Sequence, residues 1–337
     1  MKTFSLIIFP LVISGLMSCQ EFSINPVTIQ LEGSERDSLG KLSYGATLIR
    51  SPEQPSSGPG GADYAYMDTT QHVYGEGELA YWIFEPASPV PDSAPLIVFI
   101  HGAGAITPTL YQPWIEHIAR KGNIVVYPVY QTQYTPPPLL TSNAMKAVQD
   151  AIALLQAGGH VVPELDKCAV VGHSVGGVIA ANIAALASSN GLPPSKAVMC
   201  VEPGEYSLIG IEADYGRIPG DALMLVVVGS DDYVVGDTDG KFIFYQSSEI
   251  PLANKDFVTI FSDYYGTIPL LATHGSPADW VNALDYYGYW KLFDALTDAA
   301  FYGTYREYAL GNTPEQRFMG LWSNGTPVHE LVVTDQP

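Results

Sequence analysis

The chain has 337 residues, of which 47% are hydrophobic, and its formal net charge at pH 7 is −20. This hydrophobic content supports a large folded core and excludes a chain that is disordered throughout. The acidic excess argues against nucleic acid and anionic lipid surfaces as partners, because their phosphate groups attract Lys and Arg. It would repel polyanionic substrates for the same reason.

Residues 1–18 have the features of a signal peptide. Lys2 gives a positive start, and residues 4–17 are apolar but interrupted by Pro10, which is too short and broken for a membrane-spanning helix. The segment ends in Leu-Met-Ser-Cys19, which resembles a bacterial lipoprotein signal, in which the cysteine is lipidated. We therefore expect an exported protein, either anchored to the cell envelope through Cys19 or secreted, with no other membrane contact. A buried N-terminal apolar segment is the alternative.

Residues 19–63 are predicted to form an N-terminal extension and linker, because their pattern is weak and 51–61 is rich in Pro, Gly and Ser. Short strands are expected within it at 28–31 and 42–49. The main domain is predicted at 64–311. The remaining residues, 312–337, form a tail to which the sequence assigns no element.

Apolar runs alternate with helical segments through the main domain. Strands are predicted at 79–84, 96–100, 124–129, 169–172, 197–201, 222–228 and 257–261, and helices at 110–120, 141–157, 178–189 and 279–302. This alternation predicts an α/β fold with a mainly parallel central sheet and helices on both faces. In such a sheet the functional site lies at the carboxyl ends of the strands.

One of these strands ends in the sequence Gly172-His173-Ser174-Val175-Gly176, and a helix rich in small residues follows. A strand, a sharp turn with Gly-x-Ser-x-Gly and a helix together form a nucleophile elbow, which lifts the serine hydroxyl above the sheet. Ser174 is therefore the predicted nucleophile. Gly172 and Gly176 are expected because a Cβ would clash where strand and helix pass closely. The alternative is an ordinary turn with a surface serine.

A serine hydroxyl needs a base, and His274 is the candidate because it follows the last predicted strand in a Gly- and Pro-containing loop. His173 is expected to point away from the site, and His101 to brace the loop after its strand.

The acid that orients the base should follow a late strand, and the chain order serine, acid, histidine favours Asp232. Glu202, at the end of the preceding strand, and Asp231, next to Asp232, remain alternatives.

The backbone amide of Val175 and that of Ala103, in the turn His101-Gly102-Ala103-Gly104, are the predicted oxyanion donors. No metal-ligand spacing occurs, and no cofactor is expected. Two of the three cysteines, Cys168 and Cys200, fall on neighbouring strands with an offset that disfavours a disulfide, and we expect both to be buried thiols.

Four motifs carry a family resemblance: HGAG at 101–104, GHSVGG at 172–177, GSDDYVV at 229–235 and ATHGSP at 272–277. With these the chain resembles an α/β-hydrolase of the serine esterase or lipase type. It is most similar to the group of polyester hydrolases, chlorophyllase-like and platelet-activating-factor-acetylhydrolase-like proteins. The resemblance covers residues 79–302 and implies cleavage of a small or polymeric carboxylic ester through an acyl-enzyme, with Ser174, His274 and Asp232 as the triad.

The connection at 202–222 is too short for a large helical lid, although Tyr206, Ile209 and Tyr215 could form a small cover. We expect an open cleft with Trp114, Tyr130, Tyr134 and Tyr233 as wall residues. Two other functions remain open: a catalytically silent hydrolase fold that serves as a surface binding lipoprotein, and a triad hydrolase that acts on amides or lactones.

Overall fold

The computed structural model describes residues 48–204 and 213–337, together with the backbone of two short strands, β1 (Glu35–Arg36) and β2 (Leu42–Ser43), which pair antiparallel. The chain divides into two units, Met1–Thr47 and Leu48–Pro337. The predicted signal peptide, Cys19 and the predicted strand at 28–31 lie outside the described residues.

Leu48–Pro337 is built on a sheet whose strands are β3 (Asp68–Tyr74), β4 (Tyr81–Ala87), β5 (Ser93–Ile100), β6 (Ile124–Pro128), β7 (Val162–His173), β8 (Ala197–Val201), β9 (Leu223–Gly229), β10 (Lys255–Ile260) and β11 (Val332–Thr334). Their order in the sheet is β11-β10-β9-β8-β7-β5-β6-β4-β3. The six consecutive strands β10-β9-β8-β7-β5-β6 pair in parallel, and antiparallel pairing occurs between β3 and β4, β4 and β6, and β10 and β11. The predicted mainly parallel sheet is therefore confirmed.

Helices cover both faces of the sheet, as predicted. Alternate residues of the central strands enter different cores: Val98 lies in one and Ile97 in the other. Because these strands are buried on both faces, they are continuous apolar runs. The helices are α1 (Gln112–Arg120), α2 (Leu140–Gln156), α3 (Val175–Leu186), α4 (Thr238–Gln246), α5 (Lys291–Tyr302), α6 (Arg306–Ala309) and α7 (Pro314–Arg317). The first core includes residues of α2, α3 and α4, and the second includes residues of α1 and α5.

Strand β4 continues past the predicted end at Phe84. Its pairing with β6 stops at Phe84, whereas its pairing with β3 runs on to Ala87. Pro86 lacks an N–H, and it lies where β4 has only one neighbouring strand, so no hydrogen bond of the ladder is lost. The predicted end of this strand at Phe84 is therefore wrong.

The long helix predicted at 279–302 starts later than expected. Residues Asp285–Trp290 form a π-helical turn that leads into α5. Asn282 Oδ1 accepts a hydrogen bond from Leu284 N at 2.8 Å, and Asp285 Oδ2 accepts one from Asn282 N at 2.8 Å. This reciprocal cap fixes the start of the helix after Asn282. Residues 279–282 therefore lie outside the helix, in the loop that follows His274.

The C-terminal tail is part of the folded unit. Strand β11 pairs with β10, so β10 is not the last strand, and Met319, Trp322 and Leu331 are buried in the second core. The expected boundaries at residues 64 and 311 do not appear as breaks within Leu48–Pro337. No helix among the described residues has the length and apolar character needed to cross a membrane.

Candidate active site

Ser174 occupies the turn between β7 and α3 with φ 58° and ψ −128°. A serine rarely adopts this strained conformation, which is typical of functional sites. The flanking glycines are required by close backbone contacts. A Cβ on Gly172 would lie 2.1 Å from the carbonyl oxygen of Gly176, and one on Gly176 would lie 2.3 Å from that of His101. The predicted sharp turn between strand and helix is present, with the serine at its apex.

Three of the predicted site residues meet at the carboxyl edge of the sheet. Ser174 Oγ lies 2.9 Å from His274 Nε2, and His274 Nδ1 lies 2.9 Å from Asp232 Oδ2. Since Nδ1 faces a carboxylate, it carries the proton of the neutral ring, and Nε2 presents its lone pair to the serine hydroxyl. The arrangement can therefore accept a proton from Ser174.

Asp232 is held by its own loop. Its Oδ1 accepts hydrogen bonds from the backbone N–H groups of Val234 at 2.9 Å and Val235 at 3.1 Å. Together with His274, these donors give the buried carboxylate three hydrogen bonds, which stabilise its charged form. The residues after β9 thus turn back so that one carboxylate oxygen is fixed by the loop and the other faces the imidazole.

Asp231, the neighbouring alternative, faces a different group of residues. Its carboxylate accepts hydrogen bonds from Ser262 Oγ at 2.7 Å and Tyr264 Oη at 2.9 Å. These two bonds lower the pKa of Asp231. The structure therefore brings Asp232, and not Asp231, to the imidazole of His274.

The turn that contains Ala103 lies directly against the nucleophile, because a Cβ on Gly102 would be 3.3 Å from Ser174 Cβ. The Gly102 N–H donates to Tyr111 Oη at 3.1 Å. Within the described part of the chain, the Ala103 N–H has no protein acceptor. The Val175 N–H is in the first turn of α3, where amides have no partner within the helix. Both amides therefore remain candidate donors to an oxyanion at Ser174.

His173 lies against His274, with ring centroids 4.8 Å apart, so the expectation that it points away from the site is wrong. Its Nε2–H donates to the backbone oxygen of His274 at 2.8 Å, and its Nδ1 accepts from Tyr111 Oη at 2.7 Å. Burial lowers the pKa of His173 to about 4, which fits this neutral form. Since Tyr111 also binds Gly102, a continuous chain of hydrogen bonds links the Ala103 turn to the His274 loop.

His101 braces its loop as expected. It is fully buried, its Nε2 lies 2.9 Å from the oxygen of Val129, and its ring stacks on that of Tyr130 at 4.2 Å.

Among the described residues, His173, Glu202 and His274 form a group whose potential metal-binding atoms lie within 4.8 Å of one another. However, His173 Nε2 and His274 Nδ1 each carry a proton that is donated to a protein oxygen. Neither nitrogen offers a lone pair to a cation, so the group is explained as a hydrogen-bonded network.

The four aromatic residues predicted to line the cleft differ in exposure, two being buried and two exposed. Trp114 and Tyr130 are 2% and 0% exposed and belong to the cores, so they do not line a cleft. Tyr134 and Tyr233 are 83% and 89% exposed. Of the predicted cover, Tyr206 and Ile209 lie outside the described residues, and Tyr215 is buried in the first core.

A cavity of about 830 Å³ lies beside the loop that carries His274. Thr273 and Ser276, which flank His274, contribute to its wall. Most of the remaining wall is apolar and includes Leu48, Ile49, Pro52, Ile268, Leu271 and Trp280.

Cys168 and Cys200 are free and buried, as predicted.

The sheet order, the helices on both faces and the serine turn at the end of β7 define an α/β-hydrolase fold. Residues 80–208 match the family model described as Chlorophyllase, a family of the α/β-hydrolase superfamily, and the observed fold agrees with this match. The chlorophyllase-like resemblance is thus confirmed, and the match supports a hydrolase. It includes Ala103, Ser174 and Glu202 but ends before Asp232 and His274. A search of the curated proteins found no match.

Proposed function

We propose that the protein is a serine hydrolase that cleaves carboxylic esters through an acyl-enzyme. The observation that carries this proposal is the pair of 2.9 Å contacts that link Ser174 Oγ, His274 and Asp232 at the carboxyl edge of the sheet. The similarity to a hydrolase family favours an ester as the substrate.

In the acylation step, His274 Nε2 takes the hydroxyl proton while Ser174 Oγ attacks the ester carbonyl carbon. Asp232 stabilises the imidazolium that forms and keeps the ring in the required tautomer. The N–H groups of Ala103 and Val175 bind the oxyanion of the tetrahedral intermediate. His274 then gives its proton to the leaving alcohol, and the acyl group remains on Ser174.

In the deacylation step, His274 takes a proton from a water molecule, which attacks the acyl carbonyl carbon. The second tetrahedral intermediate uses the same two amides, and its collapse releases the carboxylic acid and returns the proton to Ser174. Every proton transfer uses Nε2 of one imidazole, so neither step calls for a cofactor.

The substrate we propose has a large apolar part. The cavity beside the His274 loop has the volume of typical small-molecule sites and a largely apolar wall. Trp280 and Ile268 in this wall are 90% and 78% exposed, and Tyr233, next to Asp232, is also exposed. An apolar acyl or alcohol group would remove these side chains from water.

We expect the wild-type protein to hydrolyse p-nitrophenyl esters and to react with a fluorophosphonate probe at Ser174. The test measures release of p-nitrophenol from acetate to long-chain esters and locates the probe by peptide mass spectrometry. Folded protein that neither turns over nor reacts would favour the silent binding lipoprotein. Probe labelling without ester turnover would favour the amide or lactone hydrolase.

We also propose that the protein is exported and carries a lipid on Cys19. This lipid would be its contact with the membrane. The support is the signal-like sequence of residues 1–19. We expect cells that express the full chain to incorporate radiolabelled palmitate into it, and Cys19→Ser to abolish the label. Equal labelling of the wild-type protein and Cys19→Ser would contradict lipidation at Cys19, because the label would then be on another residue.

A further inference from the structure

Glu202 is a buried acidic residue for which the mechanism above has no role. It follows β8 directly, its exposure is 0%, and its φ of 44° lies in the region that only glycine adopts readily. Its N–H donates to Val227 O at 2.6 Å, which fixes this backbone conformation. Strained backbone conformations of this kind cluster at functional sites.

The two carboxyl oxygens of Glu202 have different surroundings. Oε2 lies 3.4 Å from His173 Nε2 and 3.6 Å from His274 Nδ1. Both N–H groups are donated to other acceptors, so Oε2 has no hydrogen bond among the described residues. Oε1 lies 3.1 Å from Tyr289 Oη. Glu202 thus has one neutral hydrogen-bonding partner, whereas the Asp232 carboxylate accepts three hydrogen bonds, so a negative charge is better stabilised on Asp232.

The hydroxyl groups beyond Glu202 favour a proton on its carboxyl. Ser276 Oγ donates to Thr273 O at 2.8 Å, so it must accept at its 2.7 Å contact with Tyr289 Oη. The single hydroxyl proton of Tyr289 is then used on Ser276. While Tyr289 donates to Ser276, its 3.1 Å contact with Glu202 Oε1 is a hydrogen bond only if Glu202 is protonated and donates; if Glu202 is ionised, Tyr289 donates to it instead. Neutral Glu202 therefore completes a one-directional chain that ends at Thr273, the residue before His274.

The electrostatic surroundings act in the same direction. Burial, followed by the negative charge of Asp232, raises the pKa of Glu202 to about 8, and Asp279 adds to this effect. The charge of a protonated His274 and a hydrogen bond donated by Tyr289 to the ionised carboxylate would both lower this pKa. His173 is neutral because burial lowers its own pKa to about 4, and Tyr111 is a further neutral neighbour, with its pKa raised by burial. Among the described residues around Glu202, His173 therefore supplies no positive charge that would compensate an ionised carboxylate.

We propose that Glu202 works as a neutral carboxylic acid that positions the His274 loop through Tyr289 and Ser276. This role rests on the proposed function, and Glu202 is a positioning residue because it acts through the loop and not on the substrate. When Glu202 loses its proton to solvent at alkaline pH, Tyr289 donates to the carboxylate instead. The loop then loses its hydrogen bond from Tyr289, and His274 is held less firmly.

The test compares the wild-type protein with Glu202→Gln between pH 6 and pH 10. The amide has the shape of the neutral acid, can donate to Tyr289 and does not ionise. We expect kcat of the variant at pH 7 to be within about threefold of wild type, since one neutral hydrogen bond is exchanged for another. We expect wild-type kcat to fall above about pH 8, where Glu202 ionises, and kcat of the variant to stay level.

A readout without turnover separates this role from the hydrolase proposal. The proton NMR signal of the His274 Nδ1–H should shift near pH 8 in wild type and not in Glu202→Gln. A shift without any esterase activity would overturn the proposed function and leave the positioning role standing. Identical signals and pH profiles in the two proteins, or a wild-type rate that rises above pH 8, would overturn the positioning role.

A second variant tests the path from Glu202 to the loop. Tyr289→Phe removes the connecting hydroxyl group, so we expect kcat at pH 7 to fall to about the alkaline wild-type level, with no step near pH 8. A Tyr289→Phe enzyme that keeps both the wild-type rate and the alkaline step would contradict the path. A loss of about 100-fold in Glu202→Gln at pH 7 would instead assign Glu202 to the triad as a carboxylate, because removal of a working triad acid has effects at least this large.

Discussion

Replacement of Ser174 by Ala is expected to lower kcat for p-nitrophenyl esters by about 10⁴-fold or more. The hydroxyl oxygen is the atom that would form the acyl bond, and its 2.9 Å contact with His274 Nε2 would provide the base. The change removes one oxygen from a turn that the flanking glycines already determine, so the fold should be retained. The measurement is kcat and KM on the ester that the wild-type protein hydrolyses fastest, with circular dichroism to verify folding.

The partner variant is His274→Ala, and the double variant should lose no more activity than either single variant. Nucleophile and base act as a unit, so their effects are not additive. Ser195→Ala is the matched control, because Ser195 is also a buried serine but precedes β8, at the opposite edge of the sheet. Folded Ser174→Ala protein with wild-type activity would show that the proposed nucleophile is wrong.

The fold was largely predictable because parallel strands that are buried on both faces leave continuous apolar runs in the sequence. The run at Ala197–Val201 agrees residue for residue with β8. The predicted ends of strands differ from the observed ends where strand pairing, and not composition, determines them. In β4, for example, only the position of β3 explains why the strand continues through Pro86.

The elements that sequence reasoning missed carry weak or misleading local signals. Strand β11 has three residues, and it is specified by pairing with β10, which lies far away along the chain. Helix α4 contains Phe242, Ile243, Phe244 and Tyr245, residue types that favour strands, so composition gave no sign of a helix. In both cases tertiary contacts outweigh local propensity.

The site likewise has residues that the sequence predicts and contacts that it does not. Ser174, Asp232 and His274 each follow a strand, so the topology alone predicts that they meet. The chain from Gly102 through Tyr111 and His173 to the His274 loop was not predictable, because it depends on side-chain directions across separate elements. One signal was available for Glu202: an acidic residue directly after a strand at the functional edge.

Replacement of Asp232 by Asn is expected to lower kcat by about 10³- to 10⁴-fold while KM changes little. An amide nitrogen in place of Oδ2 would donate to His274 Nδ1 and force the ring proton onto Nε2. The ring could then no longer accept the proton of Ser174. Since the Oδ1 bonds to Val234 and Val235 can remain, the loop should keep its shape, and the loss would come from the tautomer.

Asp231→Asn is the matched control, with the same chemical change one residue away. Its carboxylate faces Ser262 and Tyr264 instead of His274, so we expect kcat within about threefold of wild type, as for surface changes outside a site. The ranking of three variants then assigns the acid. A severe loss in Asp232→Asn alone supports Asp232, whereas a severe loss in Asp231→Asn or Glu202→Gln, with Asp232→Asn near wild type, would transfer the role to that residue.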